Sequence, residues 1–341
     1  MKLQDSITIF LENSHSESKL SNKTIFAYAY DLKQFSLFFQ DYSLDNINQD
    51  DIRRYLNFLE NDRKLKDSSI RRKLMTLKAF FNFFYQKQMI FYSPLDKIKF
   101  ENKEPKPLPK IITTKDVQNL LKYAKVKVDS CSSALQPQSG SREKLFYENS
   151  IRNRAIIELL FSTGMKINEL INLDVSSVCT MTNTVHIKGK GCRERVVAIK
   201  PSGAKEAIKE YLAIRNQQQA TDPNALFINR FGGRLSIFAI ESLFEKMRKS
   251  AGIEERFTPL GLRHTMAANF LKSRKNIQKL KTILGHSTLA ATQRYQKIPP
   301  KIQRNKAVED IVPDNPINED IQLQDQPKKT SRIIRRPKTT G

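Results

Sequence analysis

The side chains with chemical reach in this chain gather in its C-terminal half and are mostly cationic. Lys166 lies in FSTGMKINELINLD, Lys190 stands between two glycines in IKGKGCRERVVAI, Arg263 and His264 are adjacent in TPLGLRHTMAANFL, and His286 and Tyr295 fall in LGHSTLAATQRY. A phenol with a reference pKa near 10 is mostly protonated at neutral pH, so it attacks only where neighbouring cations favour phenolate. A guanidinium fork fits two oxygens of one anionic group. Each residue also has a plainer reading. Tyr295 can be a core aromatic at a helix end, Arg263 can bind a carboxylate, His264 can be a satisfied buried histidine, and Lys190 can belong to a charged turn.

Spacing adds a constraint of its own. His286 and Tyr295 are nine positions apart, which on one straight helix puts them about 13 Å apart and on opposite faces. For both to meet one ligand atom, the chain must break after STLAAT, or Tyr295 must serve a neighbouring subunit.

The elements that have to position these groups read as follows. Residues 1–104 form a helical unit. Ser21 caps a helix whose Ile25, Tyr28, Leu32, Phe35 and Phe39 recur at helical steps; a second helix fits 49–60. A third fits 68–87, where Ile70, Leu74, Leu77, Phe80, Phe81 and Phe84 alternate with Arg71, Arg72, Lys73 and Lys78. Such a helix can pack inward and still offer cations to a phosphate backbone, the alternative being a plain solvated face. Prolines around 99–111 mark an extended connection, with the linker set at 105–112. The second domain is placed at 113–300, with a helix over 114–125 and a polar, mobile insertion at 129–142. Helices follow over 151–162 and 165–172, then a strand pair with Lys190 near its tip, then helices over 202–218, 236–251, 260–272 and 276–284. Thr258 and Pro259 make a sound start for the third of these. The tail 301–341, basic from about 328, is either a flexible arm that settles on DNA or inert.

Composition narrows the partner. With 59 Lys and Arg against 35 Asp and Glu, the formal charge is +24 over 341 residues. That excess predicts a polyanionic partner, without separating DNA from RNA or an anionic membrane. No apolar run is long enough to span a bilayer, and Asp5 and Glu12 disagree with a secretory signal, so a cytoplasmic protein is expected. Cys131, Cys179 and Cys192 suggest neither a disulfide framework nor, with the four histidines, a zinc site.

In order, the four blocks quoted above resemble the signatures of the tyrosine recombinase family, which includes Xer-type resolvases and phage-type integrases. The similar region runs over 112–298, and the helical unit before it looks like the family's N-terminal core-binding domain. The resemblance implies a mainly α fold with a small β-sheet (α+β). It also implies a site-specific recombinase or integrase that cuts and rejoins DNA through a 3′-phosphotyrosyl link, using neither metal nor ATP and no cofactor. Tyr295 is then the nucleophile and Arg263 holds a nonbridging oxygen. Lys190 delivers a proton to the departing 5′ oxygen, and His286 donates to the phosphate. Lys188 and Arg193 join Arg71, Arg72, Lys73 and Lys78 as DNA-binding candidates. Glu169 and Asp174 match acidic positions of the first block, Glu169 orienting a cation or satisfying a helix end. The partner implied is duplex DNA, on which the protein assembles as a homo- or hetero-tetramer, with no membrane involved.

Two positions depart from the family pattern. Lys166 replaces an arginine and keeps the charge without the planar two-pronged grip. Leu260 replaces the histidine of an HxxR element and can neither donate a hydrogen bond nor move a proton. They leave room for a second reading, a DNA-binding architectural or regulatory protein of the same fold with impaired cleavage.

Overall fold

The computed structural model describes residues 1–16, 20–40, 42–98, 108–136, 138–189, 193–200, 202–256, 258–273 and 276–298. Lys190, most of the proline-bearing linker and the whole tail 301–341 lie outside the described residues. The chain divides into two compact units, Met1–Lys106 and Pro107–Gly341. The fold is mainly helical with one small antiparallel sheet.

The first unit contains α1 (Leu3–Ser16), α2 (Asn22–Phe39), α3 (Gln49–Asn57) and α4 (Asp67–Gln86). In α2 the Ser21 hydroxyl accepts the free Thr24 amide, and in α3 Asn48 and Asp51 cap one another's amides reciprocally. The sequence reading gave no helix to residues 3–16. There Leu3, Ile7 and Phe10 share one buried face, and Phe10 meets Phe80 edge-on at 5.5 Å between centroids. Phe35 likewise packs on Phe39, Tyr55 and Phe81. These rings form a single aromatic core with Leu32, Leu74, Leu77 and Phe84.

Charge inside this unit corrects one expectation. Asp31 on α2 is buried and accepts from both terminal nitrogens of Arg72, from Lys73 Nζ at 2.9 Å and from the Thr76 hydroxyl at 3.0 Å. Lys73 also donates to Gln34 Oε1 at 2.6 Å and is only 4% exposed, so it is an internal counterion and not a cation offered to DNA. Its charge is held inside because a buried carboxylate without partners would be costly. Arg72 stays half-exposed although it shares Asp31, whereas Arg71 is exposed and Lys78 is partly covered.

The second unit is built around α6 (Ser141–Thr163), preceded by α5 (Thr114–Ser133) and followed by the short α7 (Ile167–Ile171). Ile151, Ala155, Ile156, Ile157, Leu159 and Leu160 are all buried, so the C-terminal half of α6 is covered on nearly every side and forms the centre of the unit. Helix α5 runs past the expected end at 125 to Ser133, so the start of the polar stretch 129–142 is helical, and α6 takes up its last two residues. Val117, Leu120, Ala124 and Val128 extend one buried stripe along α5, and the Ser130 and Ser133 hydroxyls bond back to Val126 and Asp129 carbonyls.

Strands β1 (Val178–Cys179), β2 (Thr184–Lys188) and β3 (Glu194–Ala198) pair antiparallel in that order, with Lys188 opposite Glu194. The Gly189 amide donates to the Arg193 carbonyl at 2.7 Å and closes the hairpin stem. Then come α8 (Ser202–Arg215), α9 (Ile237–Ser250), α10 (Pro259–Lys272), α11 (Ile277–Leu284) and α12 (Leu289–Gln293). Helix α10 starts where Thr258 accepts the Gly261 amide and Pro259 occupies the first turn. Among the described residues, no helix is long and apolar enough to cross a membrane.

Candidate active site

Arg263 projects from the first turns of α10 and is 3% exposed. Its Nη1 donates to the Gly164 carbonyl at 2.6 Å, and its Nη2 donates to the Leu284 carbonyl at 2.8 Å and meets His286 Nε2 at 3.1 Å. The two carbonyls belong to helix ends: Gly164 terminates α6 and Leu284 is the last residue of α11. Helix ends carry unpaired carbonyls with partial negative charge, which suits a guanidinium. Burial pushes Arg263 below its ordinary pKa, opposed by Tyr295 and Glu169.

His286 is placed by Gly285, whose left-handed backbone at φ +65° ends α11. Its Nδ1 lies 2.8 Å from the Thr292 hydroxyl. An arginine can only donate, so the neutral imidazole must accept at Nε2 and carry its proton on Nδ1, donating to Thr292. Burial, then the charges of Arg263, Lys166 and Arg195, lower His286 to about 4.

Tyr295 sits in a turn just past α12, which ends at Gln293. Of the two arrangements open to the His286 to Tyr295 interval, the chain shows the break, and the tyrosine meets His264 and His286 of its own chain. Its ring stacks on His286 at 6.3 Å with a 9° interplanar angle, and its hydroxyl lies 2.8 Å from His264 Nδ1. The residue is 5% exposed. Desolvation raises its pKa, with the charges of Arg263 and Arg294 pulling the other way. The phenol is therefore at home in this pocket as the neutral form.

A second cluster borders the first. Glu169 accepts from Arg195 at 3.1 and 2.7 Å and from the Lys166 amide at 2.8 Å, so it both orients a cation and caps α7. Burial works to raise Glu169, but the Arg195 and Lys166 hydrogen bonds outweigh it and hold the carboxyl below its ordinary value. Arg195 also donates from Nε to the Ile283 carbonyl at 2.7 Å. Lys166 is half-exposed, with Nζ 3.8 Å from Glu169. A cleft of about 890 Å³ opens here, lined by Lys166, Arg193, Arg195, Lys281, Gly285 and His286 among others. Its rim is strongly cationic and of a size to take a phosphate with its flanking sugars.

The structure thus brings Arg263, His264, His286 and Tyr295 together and sets Lys166 beside them on the cleft. Lys188 and Arg193 are exposed at the hairpin. Leu260 is 56% exposed, and its side chain has no polar atom to offer the site. Asp174 stands apart, paired with Arg234 at 2.5 Å. Sequence reasoning missed Arg195, although an arginine two positions before inward-facing Val197 on the same strand face implies a buried partner. It also missed Thr292 as the group that fixes the His286 tautomer, and the bond from His264 to Tyr295.

Two family descriptions match the chain: "Phage integrase family" over residues 110–301, and "Phage integrase, N-terminal SAM-like domain" over residues 7–88. A tyrosine recombinase of Agathobacter rectalis is 32% identical, over 87% of this chain and 92% of that protein. Tyrosine recombinase XerC of Thermodesulfovibrio yellowstonii is 30% identical, over 86% and 91%. Among solved structures, XerH site-specific recombinase bound to a palindromic difH substrate superposes with a TM-score of 0.67 at 20% identity, over 86% of this chain and 80% of that one. A lambda integrase dimer bound to a COC′ core site gives 0.64 at 15% identity, over 89% and 81%. At these identities the structures speak for the fold.

Proposed function

The chain belongs to the phage integrase family and is a tyrosine recombinase that cuts and rejoins DNA, and we propose that Tyr295 is its nucleophile. The observation that carries this assignment is the position of the Tyr295 hydroxyl, held beside His264 in the pocket that Arg263 and His286 line. Attack of Tyr295 Oη on a phosphorus forms the 3′-phosphotyrosyl link and expels the 5′ oxygen. Arg263 meets the negative charge that grows on the nonbridging oxygens, and Lys166 adds a second positive charge from the cleft. Lys190, on the family resemblance of its block, is assigned the proton delivered to the 5′ oxygen.

His286 needs a change of state for its role. Its Nε2 accepts from Arg263 as described, so donation to a phosphate requires a proton at that atom. The arriving phosphate supplies the reason: its negative charge offsets the cations that lower His286 and makes imidazolium stable beside it.

Duplex DNA is the partner, and the helical first unit supplies Arg71 and Arg72 toward its backbone. Exchange of two duplexes needs four strand cuts, so the assembly on DNA is a tetramer, and its setting is the cytoplasm where DNA is accessible. The test uses duplexes selected by binding from a random pool and nicked near the cleavage point. Covalent protein and DNA product that disappears in Tyr295→Phe supports the assignment. Absence of any adduct from the wild-type chain, despite binding, sinks it.

A further inference from the structure

We infer that His264 is the base that takes the Tyr295 proton during strand cleavage, an assignment that rests on Tyr295 being the nucleophile. Position 260, which the HxxR pattern would give to a histidine, holds an exposed leucine, so the acceptor must come from elsewhere in the pocket. His286 is committed at both nitrogens, accepting from Arg263 and donating to Thr292. Glu169 is saturated by Arg195 and the Lys166 amide. His264 Nδ1 lies within hydrogen-bond reach of the phenol at 2.8 Å. Its ring also lines a separate cavity of about 380 Å³ with Lys110, Glu255, Arg256 and Leu260, through which the proton can reach solvent.

The electrostatics agree with a neutral ring before reaction. Burial, then Arg263 and Arg294, lower His264 to about 4, leaving a lone pair available at neutral pH. The charged groups facing it are Arg263 on its own helix, Arg294 beside the tyrosine, and Lys110, Glu255 and Arg256 across the cavity, with His286 coupled to it. A phosphate bound at Arg263 offsets part of that positive field and strengthens the base when it is needed. Transfer is concerted with attack, because the phenol becomes acidic only as its oxygen bonds to phosphorus. In this step the Oη–H bond breaks and the Oη–P bond forms. The P–O5′ bond breaks, the phenol proton moves to His264 Nδ1, and the 5′ oxygen takes a separate proton from the acid assigned to Lys190. Resealing runs the same transfers backward, with His264 returning the proton to the tyrosine.

The experiment measures single-turnover adduct formation on nicked duplexes by wild type, His264→Ala, His264→Gln and Lys190→Ala between pH 6 and pH 9. Loss of a positioned base costs on the order of 10²–10⁴-fold in rate. The His264 variants are expected to slow by this order and to regain rate by about tenfold per pH unit, because hydroxide must then remove the proton. Wild type should stay nearly flat. A duplex with sulfur in place of the bridging 5′ oxygen needs no proton on its leaving group, so it should restore Lys190→Ala and leave His264→Ala slow. Added imidazole should partly restore His264→Ala. A His264→Ala rate within threefold of wild type, a faster rate that would make His264 a restraint on Tyr295, or a slow rate with a flat pH profile overturns the inference. If wild type itself forms no adduct, the nucleophile assignment fails instead.

Discussion

Arg263 Nη1 donates to the Gly164 carbonyl at 2.6 Å, a bond between residues 99 positions apart that fixes the start of α10 against the end of α6. Gly164 has no freedom to carry a side chain. Its φ is +60°, and a Cβ there would stand 1.9 Å from Met266 Cε. A non-glycine residue in the left-handed region costs about 1–3 kcal/mol before any clash. Gly164→Ala is expected to lower stability by at least that much in urea unfolding and to slow adduct formation, since the carbonyl that steadies Arg263 shifts with it.

The Glu169 and Arg195 side chains are 7% and 8% exposed and bonded through two oxygens. Removing one partner of a buried pair typically costs about 3–5 kcal/mol. Glu169→Ala should therefore destabilise the second unit strongly, and the double variant Glu169→Ala with Arg195→Met should recover part of the loss. The folded carboxyl titrates below 4.5, so its contribution is complete above that pH and is lost as pH falls through the folded value. Denaturation midpoints between pH 3 and pH 7 check the sign.

Lys166 is 52% exposed and reaches the cleft as a point charge. Lys166→Arg adds a second donor in a fixed fork, and a charge-assisted hydrogen bond contributes about 1.5–3 kcal/mol. Adduct formation is expected to rise by roughly tenfold or more in Lys166→Arg and to fall in Lys166→Ala, measured in single turnover at one salt concentration.

Glu158 gives a prediction of opposite sign. Burial, eased by Arg154 and aggravated by Glu206, raises its carboxyl from 4.5 to about 7. Folding then favours the protonated form, so the charge costs nothing below pH 4.5, costs progressively more up to pH 7, and is constant above. Glu158→Gln should be near neutral at pH 4.5 and stabilising by up to about 3 kcal/mol at pH 8. Equal effects at both pH values would count against it.

Surface and internal cations should separate in a salt titration of DNA binding. Each cation withdrawn from a backbone phosphate reduces the slope of log K against log salt by about 1. Alanine at Arg71, Lys188 or Arg193 should weaken binding and flatten that slope. Lys73→Met should instead leave the slope alone and lower the thermal midpoint, because Lys73 neutralises Asp31.

Local signals in the sequence located the elements well. Thr258 and Pro259 marked the start of α10, the apolar steps from Ile70 to Phe84 marked α4, and the paired runs around Gly189 marked the hairpin. Helix geometry alone called for either a break before Tyr295 or its delivery to a neighbouring subunit, and the chain takes the break. What escaped was non-local. Nothing near Lys73 announces that Asp31, 42 positions earlier, will claim it. Separations of 26 and 31 positions likewise hid the link between Arg195 and Glu169 and the one between His264 and Tyr295. Helix α1 was overlooked because its apolar face is sparse and becomes coherent only against Tyr28 and Phe80. The last turn and a half of α5, 129–133, escaped because its serines look like loop residues until their hydroxyls turn back to the preceding carbonyls.

Gly285 closes α11 under the guanidinium of Arg195, where a Cβ would stand 2.9 Å from Nη1. That guanidinium cannot step aside, since Glu169 and the Ile283 carbonyl hold it from two directions. Positions 195 and 285 consequently form one inheritable unit. A shorter residue at the first opens a void under the second, a larger residue at the second expels the first and is strained at φ +65° besides, so the arginine and the glycine together keep His286 where it stands.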